Sequence, residues 1–384
     1  MPIINYISYN IIGLGAQSRY ERIREQIKRI RRHLQLNYYD YDAIVIGAGP
    51  AGSMAAYRLA KRGYRVLIAE RATLPRYKSC SGMIIASAAQ FIREVYGRDI
   101  PSSVMCRPAV NKGMYFIDCD NRELCFTQTG CNVWRDKFDA WLADMAREAG
   151  AVIAERMSVI GYVCDGEGVR ADIFAQGRRE SISARYIIDC SGAVGRRRGG
   201  DCDCVYTYQI YNEGSIDCDD RYFYAFLQPE LSGYDAWFNI KDDFIVAGVA
   251  VKAGDGATDR CKAYYAKFID YLGSKYNLRI DKVHKIDKWV MPYIDRGYDI
   301  DCGNGRALNA GERAGFLNPM GEGVSCALSS GLQAADAIAD NFDNPDAALN
   351  MYVRCIESVK AYMCRQWDLV GRMASTFSHM RLQH

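Results

Sequence analysis

Histidine is scarce in this chain, four in 384 residues, and none of its fifteen cysteines is spaced as C-x-x-C. Zinc centres are built from closely spaced Cys and His, so an organised zinc site is not expected. Cys202 and Cys204 form a C-x-C, while Cys119, Cys125 and Cys131 lie too far apart for a metal knuckle. The thiols read as reduced, in a cytoplasmic protein, most of them serving as small apolar filler. His33, His284, His379 and His384 have no partners that would make a catalytic arrangement and read as surface or core residues. No apolar run approaches the roughly 20 residues of a spanning helix. The first residues lack the basic-then-apolar order and cleavage site of a secretory signal. There is no internal repeat and no low-complexity segment.

Charge is also nearly absent in sum, at +3. One stretch departs from that balance. Arg19–His33 carries seven Lys/Arg against two Glu, which leaves residues 39–384 at −2. A nucleic-acid footprint on the main body is therefore not expected. Ile23, Ile27, Ile30 and Leu34 recur at helical spacing within that stretch, so residues 19–34 are predicted as a basic amphipathic helix. It either packs on the body by its isoleucines or lies on an anionic membrane surface.

What the chain does contain is ordinary for a soluble globular protein, 49% apolar and 25% charged residues. Its length implies two domains or one large interleaved unit. The organising stretch is Asp42–Arg71. Asp42–Ile46 reads as a buried parallel strand. Gly47, Gly49 and Gly52 follow in G-x-G-x-x-G spacing, Ala51–Lys61 reads as a helix and Arg65–Ala69 as a second strand. Glu70 closes that strand, about 20 residues beyond the glycines. Gly47 permits the tight turn, Gly49 lets a pyrophosphate approach the backbone, and Gly52 lets the helix pack on the strand. The free N–H groups at the helix start then face the phosphates, and Glu70 can accept bonds from a ribose.

Beyond it, RATLPRYKSCSGM (71–83) is a loop by its Pro75, Ser81 and Gly82. Ile85–Tyr96 reads as a helix, and Met114–Phe116 and Glu123–Phe126 as paired strands. Trp134, Phe138, Leu142 and Met145 share one face of a helix that ends near Gly150. Short strands are predicted at 152–153, 159–163, 171–174 and 183–189, the last running into a glycine and arginine turn, CSGAVGRRRGG. Residues 205–251 read as an antiparallel sheet. Tyr206 and Tyr208 share one face of their strand, as do Tyr222, Tyr224 and Phe226; such a face is either core or the wall of an apolar pocket. Asp259–Tyr276 is a helix, Asp301–Asn309 leads into a strand, and a further helix starts near Gly323. Residues 346–384 are mostly helical.

Three blocks, VIGAGPAGSMAAYRLAKRGYRVLIAER with PRYKSCSG after it, WRDKFDAWLADMAREAGA, and GERAGFLNPMGEGVSCALSSGLQAA, together resemble the geranylgeranyl reductase family of FAD-dependent oxidoreductases, which has the p-hydroxybenzoate hydroxylase fold. A weaker fourth block is GYDAWFNIKDDFIVAGVAV. The resemblance runs from about Tyr41 to Ala335. It implies that Gly47, Gly49, Ala51 and Gly52 hold the FAD pyrophosphate and that Glu70, with Arg71 beside it, meets the adenosine ribose. Ser81 and Gly82 would bring backbone to the flavin. Arg135 would reach the phosphate or ribityl region, and Gly311 and Glu312 the ribityl chain. Gly321, Gly323 and Val324 would set a helix N-terminus against the flavin's pyrimidine end. The chain departs from the family at Ser81 for Gly, at Glu312 for Asp, and at Asp189-Cys190-Ser191-Gly192 for Ala-Asp-Gly.

The fold expected is α/β, an FAD-binding Rossmann-like domain (39–106, 129–200, 296–345) with an interleaved antiparallel-sheet substrate domain (107–128, 201–295). An N-terminal extension (1–38) and C-terminal helices (346–384) complete it. The expected reaction is reduction of a C=C bond in an apolar, isoprenoid-like substrate lodged in a tunnel walled by the tyrosine faces, Trp134 and Trp237. Cys80, its thiol tuned by Arg76 or Lys78, is either the proton donor or a packed loop thiol. Electrons would come from NAD(P)H or a protein such as a ferredoxin. The alternatives are a flavin monooxygenase or halogenase, although no Trp-x-Trp-x-Ile-Pro stretch is present, and a flavin protein that only relays electrons.

Overall fold

A computed structural model describes residues 39–198, 204–292, 300–317 and 321–373. The basic stretch 19–34 lies outside them. Strand β1 (Tyr41–Ile46) leads into helix α1 (Pro50–Lys61) and β2 (Val66–Ala69). After the 71–83 loop come β3 (Met83–Ile84), α2 (Ala86–Tyr96), the long strands β4 (Met105–Ile117) and β5 (Glu123–Val133), and α3 (Arg135–Glu148). Strands β6 (Val152–Ala154), β7 (Met157–Cys164), β8 (Val169–Ala175) and β9 (Arg178–Asp189) precede α4 (Ala193–Arg198). Then follow β10 (Cys204–Ser215), β11 (Tyr222–Phe226), β12 (Ala236–Lys241), β13 (Phe244–Lys252), α5 (Ala257–Tyr276) and β14 (Arg279–Pro292). Short strands β15 (Gly303–Asn304) and β16 (Ala307–Asn309) lead to α6 (Val324–Asp340), α7 (Pro345–Cys355) and α8 (Glu357–Met373).

The strands form two eight-stranded sheets. The first runs β15-β16-β9-β1-β2-β6, with β8 and β7 attached beside β9; its pairs from β16 to β6 are parallel. Parallel strands are buried on both faces, which is why β1 reads as a continuous apolar run. Val45 packs towards the helices with Met54, Leu59, Phe138 and Ile338, while Ile44 packs with Val169 and Ala171 of β8. Helix α1 lies against both α3 and α6.

The second sheet runs β14-β10-β13-β12-β11-β4-β5-β3. It differs from expectation in three ways. β11 pairs with β4 in parallel, Tyr224 opposite Tyr115, so the sheet is mixed. Parallel neighbours need a long crossover, and here everything from β5 to β10 lies between them. β4 and β5 pair along Met105–Val133, longer than the predicted hairpin, so the expected domain breaks at 107 and 128 fall inside continuous strands. Finally, β14, a charged and alternating strand that the sequence reading passed over, closes the edge beside β10. In the first unit, the predicted turn at CSGAVGRRRGG contains helix α4 instead, since Ala and Arg are good helix formers and Gly192 ends the preceding turn.

The tyrosine faces are core, not tunnel. Tyr208, Tyr224 and Phe226 are buried against Phe268 and Leu272 of α5, with Tyr206 and Tyr222 packed on the same cluster. An amphipathic helix had to bury its stripe somewhere, and it took that side of the sheet. Trp134 is also outside the cavity wall. Its indole N–H donates to Asp242 at 2.7 Å and its ring stacks on Tyr211.

Candidate functional site

A cavity of about 820 Å³ lies between the two sheets. Its nucleotide-sized end is built from the β1–α1 turn, the end of β2 and the start of α6. Gly47, Gly49 and Ala51 line it, as do Glu70 and Arg71, the latter exposed at the rim. Gly49 caps α1 with no side chain over the helix start. A Cβ added there would meet Arg76 Nη2 at 3.6 Å and nothing nearer, so the N–H groups stand open to a ligand. Gly52 is not on the wall. A Cβ there would fall 2.0 Å from the Gly47 carbonyl oxygen, so its role is to let helix and turn touch. These two glycines divide the work as the fingerprint requires, one opening the cradle and one closing the backbone behind it.

Glu70, Asp139 and Asp189 are each engaged. Glu70 Oε2 accepts from the Ala48 N–H at 2.8 Å and Oε1 from the Ala72 N–H at 2.9 Å. Arg76 bridges Glu70 at 3.3 Å and Asp139 at 3.1 Å. Arg135 makes a two-pronged bond to the same Asp139, at 2.9 and 3.1 Å, and Asp139 is fully buried. The Arg135–Asp139 pair is an i,i+4 ion pair on α3, a spacing visible in RDKFD but not used in the sequence reading. Across the cavity, Asp189 at the end of β9 accepts from the Ser191 N–H and from Arg313 Nε, both at 3.0 Å. Gly311 and Glu312 line the wall between. The Gly311 N–H donates to Ser330 Oγ at 3.0 Å, and the Glu312 carboxylate reaches towards Gly192.

Cys80 and Ser81 line the middle of the cavity. Burial pushes the Cys80 thiol up, but the Arg135 guanidinium, the Gly82 N–H and the Lys241 ammonium together outweigh it and hold it below its ordinary value. The Gly82 N–H meets the sulfur at 3.3 Å. The tuning is led by Arg135 and Lys241, because α3 and β12 converge behind the loop, while of the expected Arg76 or Lys78 it is Lys78 whose charge is coupled to Cys80. Lys241 is buried, donates to the Val133 carbonyl at 3.0 Å and lies 4.2 Å over the Trp134 ring; burial pushes its ammonium down. Lys78 lies 4.1 Å over Trp289, likewise pushed down by burial. Gly82 sits behind the wall rather than on it. At φ +80°, with a Cβ position 2.1 Å from the Val133 oxygen, only glycine fits there.

Gly321, Gly323 and Val324 bring the start of α6 to the cavity. Its first turn is not wholly free, as expected for a flavin-facing helix end. Glu322 takes the Ser325 N–H at 2.8 Å, and burial pushes its carboxyl up. The far end of the cavity belongs to the second sheet, through Val205, Phe223, Asp235, Trp237 and Trp289, with Trp367 arriving from α8. Of the predicted tunnel residues, Trp237 is on this wall.

The donor set fits FAD: an open glycine cradle at a helix start, an acid at the adenosine position and an elongated cavity continuing past a thiol loop. Residues 40–218 match the family described as the FAD binding domain. An uncharacterised protein of Methanosarcina barkeri is 24% identical over 310 residues, 78% of this chain and 75% of that protein. The fold is similar to that of a geranylgeranyl bacteriochlorophyll reductase-like protein from Thermoplasma acidophilum, with a TM-score of 0.73 at 19% identity over 89% of this chain and 88% of that one. It is similar also to the myxobacterial chondrochloren halogenase CndH, at 0.67 and 19% over 89% and 86%. The chain thus carries an FAD binding domain over residues 40–218, within a flavoenzyme fold common to a reductase-like protein and to halogenases.

Proposed function

We propose that the protein is an FAD-dependent reductase acting on a C=C bond of a largely apolar substrate held at the aromatic end of the cavity. The observation that carries this reading is Cys80, a thiol on the cavity wall between the dinucleotide cradle and the aromatic residues, with its pKa drawn down by Arg135. When bound and reduced, FAD supplies a hydride. An unpolarised alkene also needs a proton on its second carbon, and in this reading Cys80, on the cavity wall, supplies it. Arg135 and Lys241 stabilise the thiolate left behind until water reprotonates it. NAD(P)H docking transiently, or a ferredoxin-type protein, would restore the two electrons used per turnover.

The acid acts in its protonated form, so the chemical step should slow as pH rises through the lowered thiol pKa. Cys80→Ser keeps the size and removes the acidity. Turnover of a prenyl alkene by the reduced protein should fall by roughly 10²–10⁴-fold with FAD retained. Oxygen incorporation into product, with Cys80→Ser fully active, would replace the reductase reading by an oxygenating one, the chemistry of the halogenases on this fold. No helix among the described residues is long and apolar enough to cross a membrane.

A further inference from the structure

Among the described residues, one acid, Asp235, lines the aromatic end of the cavity. Asp235 immediately precedes β12, two residues before Trp237. Ala236 and Phe238 turn to the other side of the sheet and pack with the α5 cluster, so alternation sends Asp235 and Trp237 to the cavity side. The chain is pinned there by the Gly233 and Tyr234 N–H groups, which both donate to the Ala250 carbonyl, at 3.1 and 3.2 Å. The surroundings are apolar: Val205, Phe223, Trp237, Ala250 and Trp367 form one buried cluster, with Tyr234 packed on it.

Glu70, Asp139 and Asp189 each have an arginine. Asp235 has none. Among the described residues no cation and no side-chain donor meets its carboxyl, which is stabilised by its own amide N–H alone. The charges that neighbouring elements turn to this cavity are engaged elsewhere: Asp287 of β14 with Tyr77 and Gln209, and Lys78 with the Trp289 ring. Burial pushes the Asp235 carboxyl up to about 6. At pH 7 about nine in ten copies still carry the charge. Asp235 is half-buried, and a carboxylate beside rings without a counter-charge is costly, a cost relieved by a ligand that brings one. The Trp237 and Trp367 rings on the same wall suit a cation, because π systems attract positive charge, as the Lys78 ammonium over Trp289 shows.

We propose that Asp235 anchors a protonated amine on an otherwise apolar substrate, so that this end of the cavity selects ligands with a basic nitrogen. The inference rests on reading the aromatic end as the substrate site, and not on the reaction carried out there. A neutral hydroxyl would satisfy one oxygen but leave the charge uncompensated, and a carboxylic acid would be repelled.

The test uses the FAD-loaded protein and two probes of matched size, 4-phenylbutylamine and 4-phenylbutanol, titrated while tryptophan fluorescence and the flavin absorption band are followed. At pH 8 the amine should bind at least about tenfold more tightly than the alcohol, as a charge-assisted hydrogen bond requires. Its affinity should fall about tenfold between pH 7 and pH 5, because Asp235 is protonated while the amine stays charged. Alcohol binding should not change over that range. Asp235→Asn should abolish both the preference and the pH dependence at unchanged FAD content, and Asp235→Glu should keep the preference. Equal affinities in the wild type at pH 8, or an amine preference that survives in Asp235→Asn, would overturn the proposal. Alkene turnover without amine preference would sink this inference alone, and amine preference without alkene turnover would sink the reductase reading alone.

Discussion

At the dinucleotide end of the cavity Glu70 and Asp139 are paired with arginines, and at the aromatic end Asp235 has no such partner among the described residues. Glu70 and Asp139 face Arg76 and Arg135, so two negative charges meet two positive ones before any ligand arrives. Such a cluster is pre-organised, and a bound dinucleotide has little left to order. Asp235 sits among rings with its charge uncompensated. The two ends therefore behave oppositely towards what they bind. The first holds its shape through internal ion pairs and offers backbone N–H groups, whereas the second carries a deficit that a ligand can remove.

The largest expected effect is at Gly49. A valine there finds no protein atom nearer than Arg76, so the fold should tolerate it, but its methyl groups would occupy the cradle at the start of α1. Gly49→Val should purify colourless and fail to take up added FAD, with its urea midpoint nearly unchanged; a yellow variant would show that the pyrophosphate does not sit at this turn. Next comes Asp139→Asn, which leaves the buried Arg135 and the half-buried Arg76 short of one charge. Breaking a buried ion pair costs about 3–5 kcal/mol, and chemical denaturation should show most of that loss. A variant as stable as the wild type would mean that the cluster does not hold this end in shape. The smallest effect is expected at Gly248. A Cβ there would lie 2.3 Å from the Trp237 ring and push it into the aromatic end. Gly248→Ala should cost about 1 kcal/mol of stability through overpacking and weaken 4-phenylbutylamine binding while leaving FAD content intact. A matching loss of FAD would show that the two ends are not separable.

The dinucleotide end was legible because its signal is local. Strand, turn, helix and second strand fall within Asp42–Arg71, and each residue's task follows from its place in a contiguous run. The α6 block is nearly as compact. The aromatic end was not legible for a specific reason. β10, β11 and β12 alternate apolar residues on both faces, and nothing in VYTYQIYN or YFYAFLQP tells which face meets a helix. The tyrosine face could serve either as core or as a pocket wall, and it was α5, more than thirty residues further along the chain, that claimed it. Asp235 falls within the stretch 205–251 that reads as an antiparallel sheet, and the sequence alone assigns it no role there. Its meaning depends on Phe223, Trp289 and Trp367 reaching the same cavity from three other elements.

Sequence by itself determined the glycine cradle, the acid that closes β2 and the thiol loop beyond it, because each is set by residues a few positions apart and by the backbone freedom or chemistry of single side chains. The tertiary structure decided which cations tune Cys80, which face of the second sheet is core and where an acid is left without a counter-charge. Those outcomes depend on burial and on Coulomb partners from distant segments, since an acid is costly or satisfied according to what the fold brings beside it. Arg135 and Lys241 lie more than a hundred residues apart in the chain, yet both act on the Cys80 thiol.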